Sequence, residues 1–145
     1  LFMNDRTWWM AINKSPNMIQ PHKRCNIGHA PVIVFKNNKP YLTVGSPGGF
    51  GIIQYLFQVM SHVLNYGIDL QTAIDLPRFR VSNNFKDVFI ENRFKLLFKN
   101  KNYNIKSFSE WTDIVGGVEG IVKNSSGNYL NCYDVRRNSQ SSGFF

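Results

Sequence analysis

The five residues Gly45-Ser46-Pro47-Gly48-Gly49 fall between a strand-like run, Pro40-Tyr41-Leu42-Thr43-Val44, and a helical pattern over 50–66. The chain must therefore pass from extended backbone into a helix within a few residues, and glycine does this while leaving backbone amides uncovered. The first N–H groups of a helix have no partner inside it, so two of them can hold a phosphate, a carboxylate or a developing oxyanion. A purely structural reading also fits, because Gly and Pro often serve only to reverse the chain. The turn is neither a Walker loop nor a nucleophile elbow. No Lys-Ser/Thr follows its last glycine, and Ser46 stands before Pro47 instead of centring a Gly-x-Ser-x-Gly.

Around this turn the periodicity predicts a small set of elements. Pro31-Val32-Ile33-Val34-Phe35 and Tyr41-Leu42-Thr43-Val44 read as two strands of a hairpin joined through Lys36-Asn37-Asn38-Lys39-Pro40. From Phe50 the period changes, with Ile52, Leu56, Met60 and Leu64 at four-residue steps and Ile53, Phe57 and Val63 broadening the stripe. Gly67 stops this helix; Asp69 caps a shorter one through Ile74, which Pro77 ends. Asp87-Val88-Phe89-Ile90-Glu91 and Val118-Glu119-Gly120-Ile121-Val122 are strand-like, and Ser125-Ser126-Gly127-Asn128 turns into Tyr129-Leu130-Asn131-Cys132-Tyr133 as a second hairpin. The sum is a mixed α+β arrangement with helices covering sheet strands, and no internal repeat or low-complexity linker is present.

Composition narrows the class. With 145 residues, 43% hydrophobic and 14% aromatic, the chain can fill the core of one domain. Gln54, Gln58, Ser61 and His62 interrupt the most apolar segment, so no membrane span is expected. No signal peptide is evident and no compartment follows. Leu1 is not an initiator methionine and Phe2-Met3 reads as the inside of a strand, so further sequence is expected upstream. Seventeen basic and nine acidic residues give a formal charge of +8. The cations are scattered, and Lys95, Lys99 and Lys101 around Phe94-Leu96-Leu97-Phe98 read as the solvated side of a short helix, which argues against nucleic acid as a partner.

Cys25 and Cys132 are too few for a disulfide framework. His22, Cys25 and His29 have spacings that zinc uses, with Cys132 as a conceivable fourth ligand. Without a Cys-x-x-Cys or His-x-x-x-His pair, isolated loop residues are the better reading, and neither a metal nor a cofactor is expected. His62, among apolar neighbours on the long helix, reads as a packing residue.

The order and wording of the local motifs resemble the C-terminal part of the small subunit of γ-glutamyltransferases, which are N-terminal nucleophile hydrolases. Gly45-Ser46-Pro47-Gly48-Gly49 matches that family's Gly-Ser-Pro-Gly-Gly loop without a change. Asp75-Leu76-Pro77-Arg78-Phe79 resembles its Asp-Ala-Pro-Arg-Phe, and Gly116-Gly117-Val118-Glu119 its Gly-Gly-Val-Gln. Lys23-Arg24 followed by Pro31 is similar to a Lys-Arg-Pro segment, and Asp134-Val135-Arg136-Arg137 with Gly143-Phe144 is similar to a terminal Asp-Pro-Arg-Arg and Gly-Tyr. The resemblance spans nearly all of residues 1–145. It implies an αββα sandwich of which this chain is a single incomplete domain, completed by the missing part of the small subunit and an upstream large subunit.

It also implies a chemistry. In that family a precursor cuts itself to expose a threonine whose hydroxyl attacks an amide while its own α-amine, titrating near about 8, takes the proton. The resemblance assigns the oxyanion donors to the amides of Gly48 and Gly49, and places Ser46 and Pro47 of the same loop among the substrate-binding residues. It places the threonine upstream, since Thr7 lies inside the matched segment 1–10. The departures concern specificity. γ-Glutamyl enzymes hold the substrate's α-amino and α-carboxyl groups with an Asp pair and a Ser-Ser pair; Trp8 and Trp9 stand in the first position and Ile27 and Gly28 in the second. Indole cannot replace a carboxylate beyond a cation–π contact, and Ile and Gly offer no hydroxyl. Arg6, in a Gln position, can hold an anion, while Trp8 and Trp9 fit a core or subunit interface as well as a pocket.

Two classes of function follow. One is part of an amidohydrolase or acyltransferase that acts on γ-glutamyl compounds such as glutathione or on a related small-molecule acyl amide. The alternative is a non-catalytic binding or scaffold relic of the same fold.

Overall fold

The structure, a computed structural model, describes residues 9–94, 102–138 and 140. A four-stranded antiparallel sheet has the order β1-β2-β6-β7, built from Val32–Lys36, Lys39–Gly45, Glu119–Lys123 and Tyr129–Cys132. Both predicted hairpins are present. Asn37 and Asn38 take φ of 52° and 59°, the mirror-image turn whose twist suits a two-residue hairpin. Helix α1, Ile52–Tyr66, follows a single 3₁₀ turn, Gly49–Gly51, and ends at Gly67 with φ 67°. Helix α2, Leu70–Asp75, is capped by Asp69, whose carboxylate accepts from the Thr72 amide at 3.0 Å. The Thr72 hydroxyl first, and then this amide bond, hold the Asp69 carboxyl below its usual range.

The core lies between one face of this sheet and the two helices. Leu42, Val44 and Cys132 from the strands meet Ile52, Tyr55, Leu56, Val59 and Val63 of α1 and Leu70, Ala73 and Ile74 of α2. The stripe on α1 is rotated from the sequence expectation. Tyr55 and Val59 are buried, whereas Ile53, Phe57 and Leu64 are exposed. On the opposite face of the sheet, Ile33, Thr43, Ile121 and Asn131 stand side by side across the four strands.

A second sheet was not anticipated in full. The strand over 87–91 is present as β4, Asp87–Glu91, but it lies between β3, Phe79–Val81, and β5, Asn104–Phe108, with β3 antiparallel and β5 parallel to it. Two glutamines of α1 complete the free edge of β3. Gln54 donates to the Val81 carbonyl and accepts from the Val81 amide at 3.0 and 2.8 Å, and Gln58 does the same at Phe79 at 2.9 and 3.1 Å. One helical turn spans roughly the distance between alternate strand residues, so an i, i+4 pair of amides imitates a neighbouring strand. The expected short helix around Phe94, with Lys95, Lys99 and Lys101, falls largely outside the described residues.

Helices and sheets are tied together by a buried charge cluster. Arg78 and Asp134 meet at 2.5 Å, Arg136 grips Glu91 through Nε and Nη2 at 2.7 and 2.8 Å, and Arg136 also reaches Asp134 at 3.1 Å. All four side chains are almost wholly enclosed. The remaining guanidinium donors go to backbone carbonyls, Arg78 to Ile74 and Val115 and Arg136 to Ile74 and Leu76, while the Asp134 carboxylate accepts from the Val118 amide. Among the described residues no buried side-chain nitrogen or oxygen is left without a partner. This saturation repays the desolvation of the charges.

Burial works against ionisation of Asp134, but the guanidiniums of Arg78 and Arg136 outweigh it and hold its carboxyl below the usual range. A carboxyl depressed in the folded state stabilises fully above its unfolded pKa of about 4, and that contribution is lost as pH falls through the lower folded value. In the full-length protein, Asp134→Asn is therefore expected to cost about 3–5 kcal/mol at neutral pH and to flatten the acid limb of stability below about pH 4. Denaturant titrations across pH 2–7 check this; an acid limb as steep as that of the unsubstituted protein would show that Asp134 does not carry it.

Candidate functional site

The site is built on the passage from β2 into α1. Gly48 has φ 129° and Gly49 φ 60°, two successive positions that side-chain-bearing residues rarely adopt. The Gly51 amide donates to the Gly48 carbonyl at 3.1 Å and closes the first turn. Among the described residues the Gly48 and Gly49 amides meet no acceptor. Two adjacent donors at a helix start form a cradle for negative charge. The Ser46 hydroxyl donates to the Pro47 carbonyl at 2.7 Å and so braces the loop internally.

Three of the residues expected at the specificity positions can be placed. Trp9 packs edge-on against Phe50, with ring centroids 5.3 Å apart, and its indole reaches the space beside Gly49 Cα. Its carbonyl accepts from the Asn17 side chain at 2.6 Å, and Asn17 in turn accepts from the Asn26 amide. Gly28 lies so close that a Cβ on it would sit 3.0 Å from the backbone of Gly49. Ile27 is 53% exposed beside it. Trp9, Gly28, Gly48 and Gly49 therefore form one constellation, whereas Arg6 and Trp8 fall outside the described residues.

The underside of the loop rests on a residue that sequence reasoning had not singled out. Tyr55, fully buried, lies against Gly48 and Gly116, and its hydroxyl donates to the Ile114 carbonyl at 2.9 Å. Burial pushes its phenol above the ordinary range, with Arg80 partly opposing. The i, i+3 and i, i+4 spacing from Ile52 and Val59 was a signal that Tyr55 faces the core.

A cleft of about 620 Å³ opens beside the loop, lined by Ser46, Pro47, Glu119, Asn131, Cys132 and Tyr133. Burial, then the negative charges of Asp69 and Asp75, push the Cys132 thiol up, so at neutral pH it is not a thiolate nucleophile. Neither cysteine is in a disulfide. Among the described residues no group of three or more His, Cys, Asp and Glu side chains is placed to hold a metal, so His22, Cys25, His29 and Cys132 do not converge. His62 makes a tilted ring contact with Tyr66 at 6.1 Å. No described helix is long and apolar enough to cross a membrane.

The family model described as Gamma-glutamyltranspeptidase matches residues 2–144. The glutathione hydrolase proenzyme of Bacillus subtilis (strain 168) is 30% identical over 141 residues, covering 97% of this chain and 24% of that protein. Cephalosporin acylase from Bacillus halodurans superposes with a TM-score of 0.73 at 25% identity, over 90% of this chain and 25% of the acylase. A mutant γ-glutamyltranspeptidase from Helicobacter pylori superposes with a TM-score of 0.68 at 27% identity, over 94% of this chain and 75% of the matched chain. The α+β arrangement is thus that of an N-terminal nucleophile hydrolase, present as a partial domain. Fold, sequence and the glycine loop agree: the chain belongs to the γ-glutamyltranspeptidase family.

Proposed function

We propose that this chain is the oxyanion-supplying part of an amidohydrolase or acyltransferase whose N-terminal threonine nucleophile lies in preceding sequence. The observation that carries the reading is the Gly48-Gly49 pair, with φ of 129° and 60° and both amides free of acceptors among the described residues. As the threonine hydroxyl adds to an amide carbonyl, negative charge collects on the carbonyl oxygen. Preorganised amides then stabilise that charge without reorganising. The threonine's own amine accepts the hydroxyl proton and returns it to the leaving amine.

Residues 1–145 form one incomplete domain in this reading, and the rest of the protein covers the sheet face that carries Ile33 and Ile121. The full-length protein is expected to cut itself upstream of this chain. Intact-mass measurement after purification checks the point; an uncut precursor that hydrolyses substrate would remove the N-terminal threonine from the proposal.

Gly49→Val tests the cradle. A branched side chain at φ 60° displaces the amides, and turnover is expected to fall by about 10²–10³-fold with the fold retained. Wild-type turnover in a folded Gly49→Val protein would leave the loop only a turn.

The substrate class we infer is an acyl amide with little dependence on an α-amino group. Support comes from Trp9 and Gly28, which meet Gly49 with an indole and a bare backbone where a γ-glutamyl substrate needs carboxylate and hydroxyl partners. Each lost charge-assisted contact costs about 1.5–3 kcal/mol, so γ-glutamyl anilide is expected to react more slowly than a size-matched acyl anilide lacking the α-amino group. Comparing kcat/KM for the two decides. A γ-glutamyl preference of about tenfold or more would overturn the acylase-like reading.

A further inference from the structure

We propose that Tyr55 is a positioning residue for the reaction, its ring acting as the brace that fixes the Gly48 and Gly49 amides; this rests on the oxyanion reading above. Three glycines leave the space the ring occupies. A Cβ at Gly48 would lie 2.7 Å from Tyr55 Cε2, and a Cβ at Gly51 or Gly116 would overlap the phenol outright. The loop, the first turn of the helix and the turn before β6 therefore all close on one aromatic ring.

The ring is held from both ends. It leaves α1 within the buried stripe, and its hydroxyl is anchored on the Ile114 carbonyl at 2.9 Å. Ile114 lies in the 3₁₀ turn Asp113–Val115, whose next carbonyls, Val115 and Gly116, accept from the buried guanidinium of Arg78. The Arg80 side chain closes the hydroxyl end of the socket. The side chain thus links the charge cluster to the floor of the loop without reaching substrate itself. A backbone at φ 129° and 60° has no side chains of its own to pin it, so a rigid ring beneath is what sets where the amides point.

Oxyanion donors act in the transition state, so a misplaced loop lowers kcat and leaves KM nearly unchanged. In the full-length protein, Tyr55→Leu is expected to lower kcat by about tenfold to a hundredfold with KM within about threefold. Tyr55→Phe keeps the ring and loses only its anchor, so kcat should fall by no more than about threefold. A merely structural residue would lower the melting temperature and the yield of folded protein while leaving the kcat of the folded fraction alone. Equal losses in Tyr55→Leu and Tyr55→Phe, or wild-type kcat in folded Tyr55→Leu, would overturn the proposal.

Should Tyr55→Leu fail to fold, Gly51→Ala decides by pressing on the phenol from the other side. A kcat loss at steady KM in folded Gly51→Ala supports the brace; unchanged kcat in Gly51→Ala overturns it. Gly49→Val separates the two readings. Lost turnover there beside wild-type kcat in Tyr55→Leu removes the brace alone, whereas wild-type turnover in Gly49→Val removes the oxyanion role and the brace with it.

Discussion

The buried meeting of Arg78, Asp134, Arg136 and Glu91 is the constraint on which the rest of the structure depends. Two guanidiniums and two carboxylates neutralise each other in the interior, and further guanidinium N–H groups donate to backbone carbonyls that need a donor there. Arg93, stacked 3.5 Å above Trp111, adds a partly exposed fifth charge to Glu91. Hydrophobic side chains of the same volume could fill this space with comparable energy. They could not orient the end of α2, the start of β6 and the turn over 113–116 against one another, because dispersion has no direction. The carbonyls of Ile74, Leu76, Val115 and Gly116 all converge on the cluster.

From that anchor the positions of the glycine loop follow. The cluster fixes the Val115-Gly116 backbone, Gly116 and Ile114 fix the Tyr55 ring, and the ring meets Gly48. A loop with positive φ at two consecutive residues has little intrinsic preference for a single conformation. Its order must be imposed from outside, and here it is imposed from below by Tyr55 and from the side by Gly28 and Trp9.

The strands and helices were legible because their signals are local. Alternation, the Gly67 stop and the Asp69 cap each act within a few residues, and both hairpins and both helices stand where those signals put them. The glycine loop was legible for the same reason, as was the family from its short motifs. What was hidden is long-range. Arg78 and Asp134 are 56 residues apart and Glu91 and Arg136 are 45, so no periodicity pairs them, although the motifs that contain Arg78, Asp134 and Arg136 had been noted. β3 escaped notice because its three residues are too few to show alternation and its edge is completed by Gln54 and Gln58 from a helix. Those same glutamines had been read only as interruptions of an apolar segment. The rotation of the α1 stripe has a related cause: Ile53 and Phe57 have the hydrophobicity of core residues, and only the packing of α1 against the first sheet and α2 decides which face is covered.

A cradle made of backbone amides and a pocket made of side chains answer to different constraints. Amides are chemically identical in every sequence, so the loop needs only residues that tolerate its dihedrals and leave room for a ligand, and Gly48 and Gly49 meet that need. Recognition of a substrate's charged groups instead depends on the identity of each side chain, and a single exchange removes it. At Gly28 the two constraints touch. Its Cα side faces the Gly49 backbone so closely that a Cβ would sit at 3.0 Å, which only a shift of one segment could relieve. A serine placed there would bring a hydroxyl donor only if the Gly28 segment or the glycine loop gave way by a few tenths of an ångström, so the two constraints bear on the same contact.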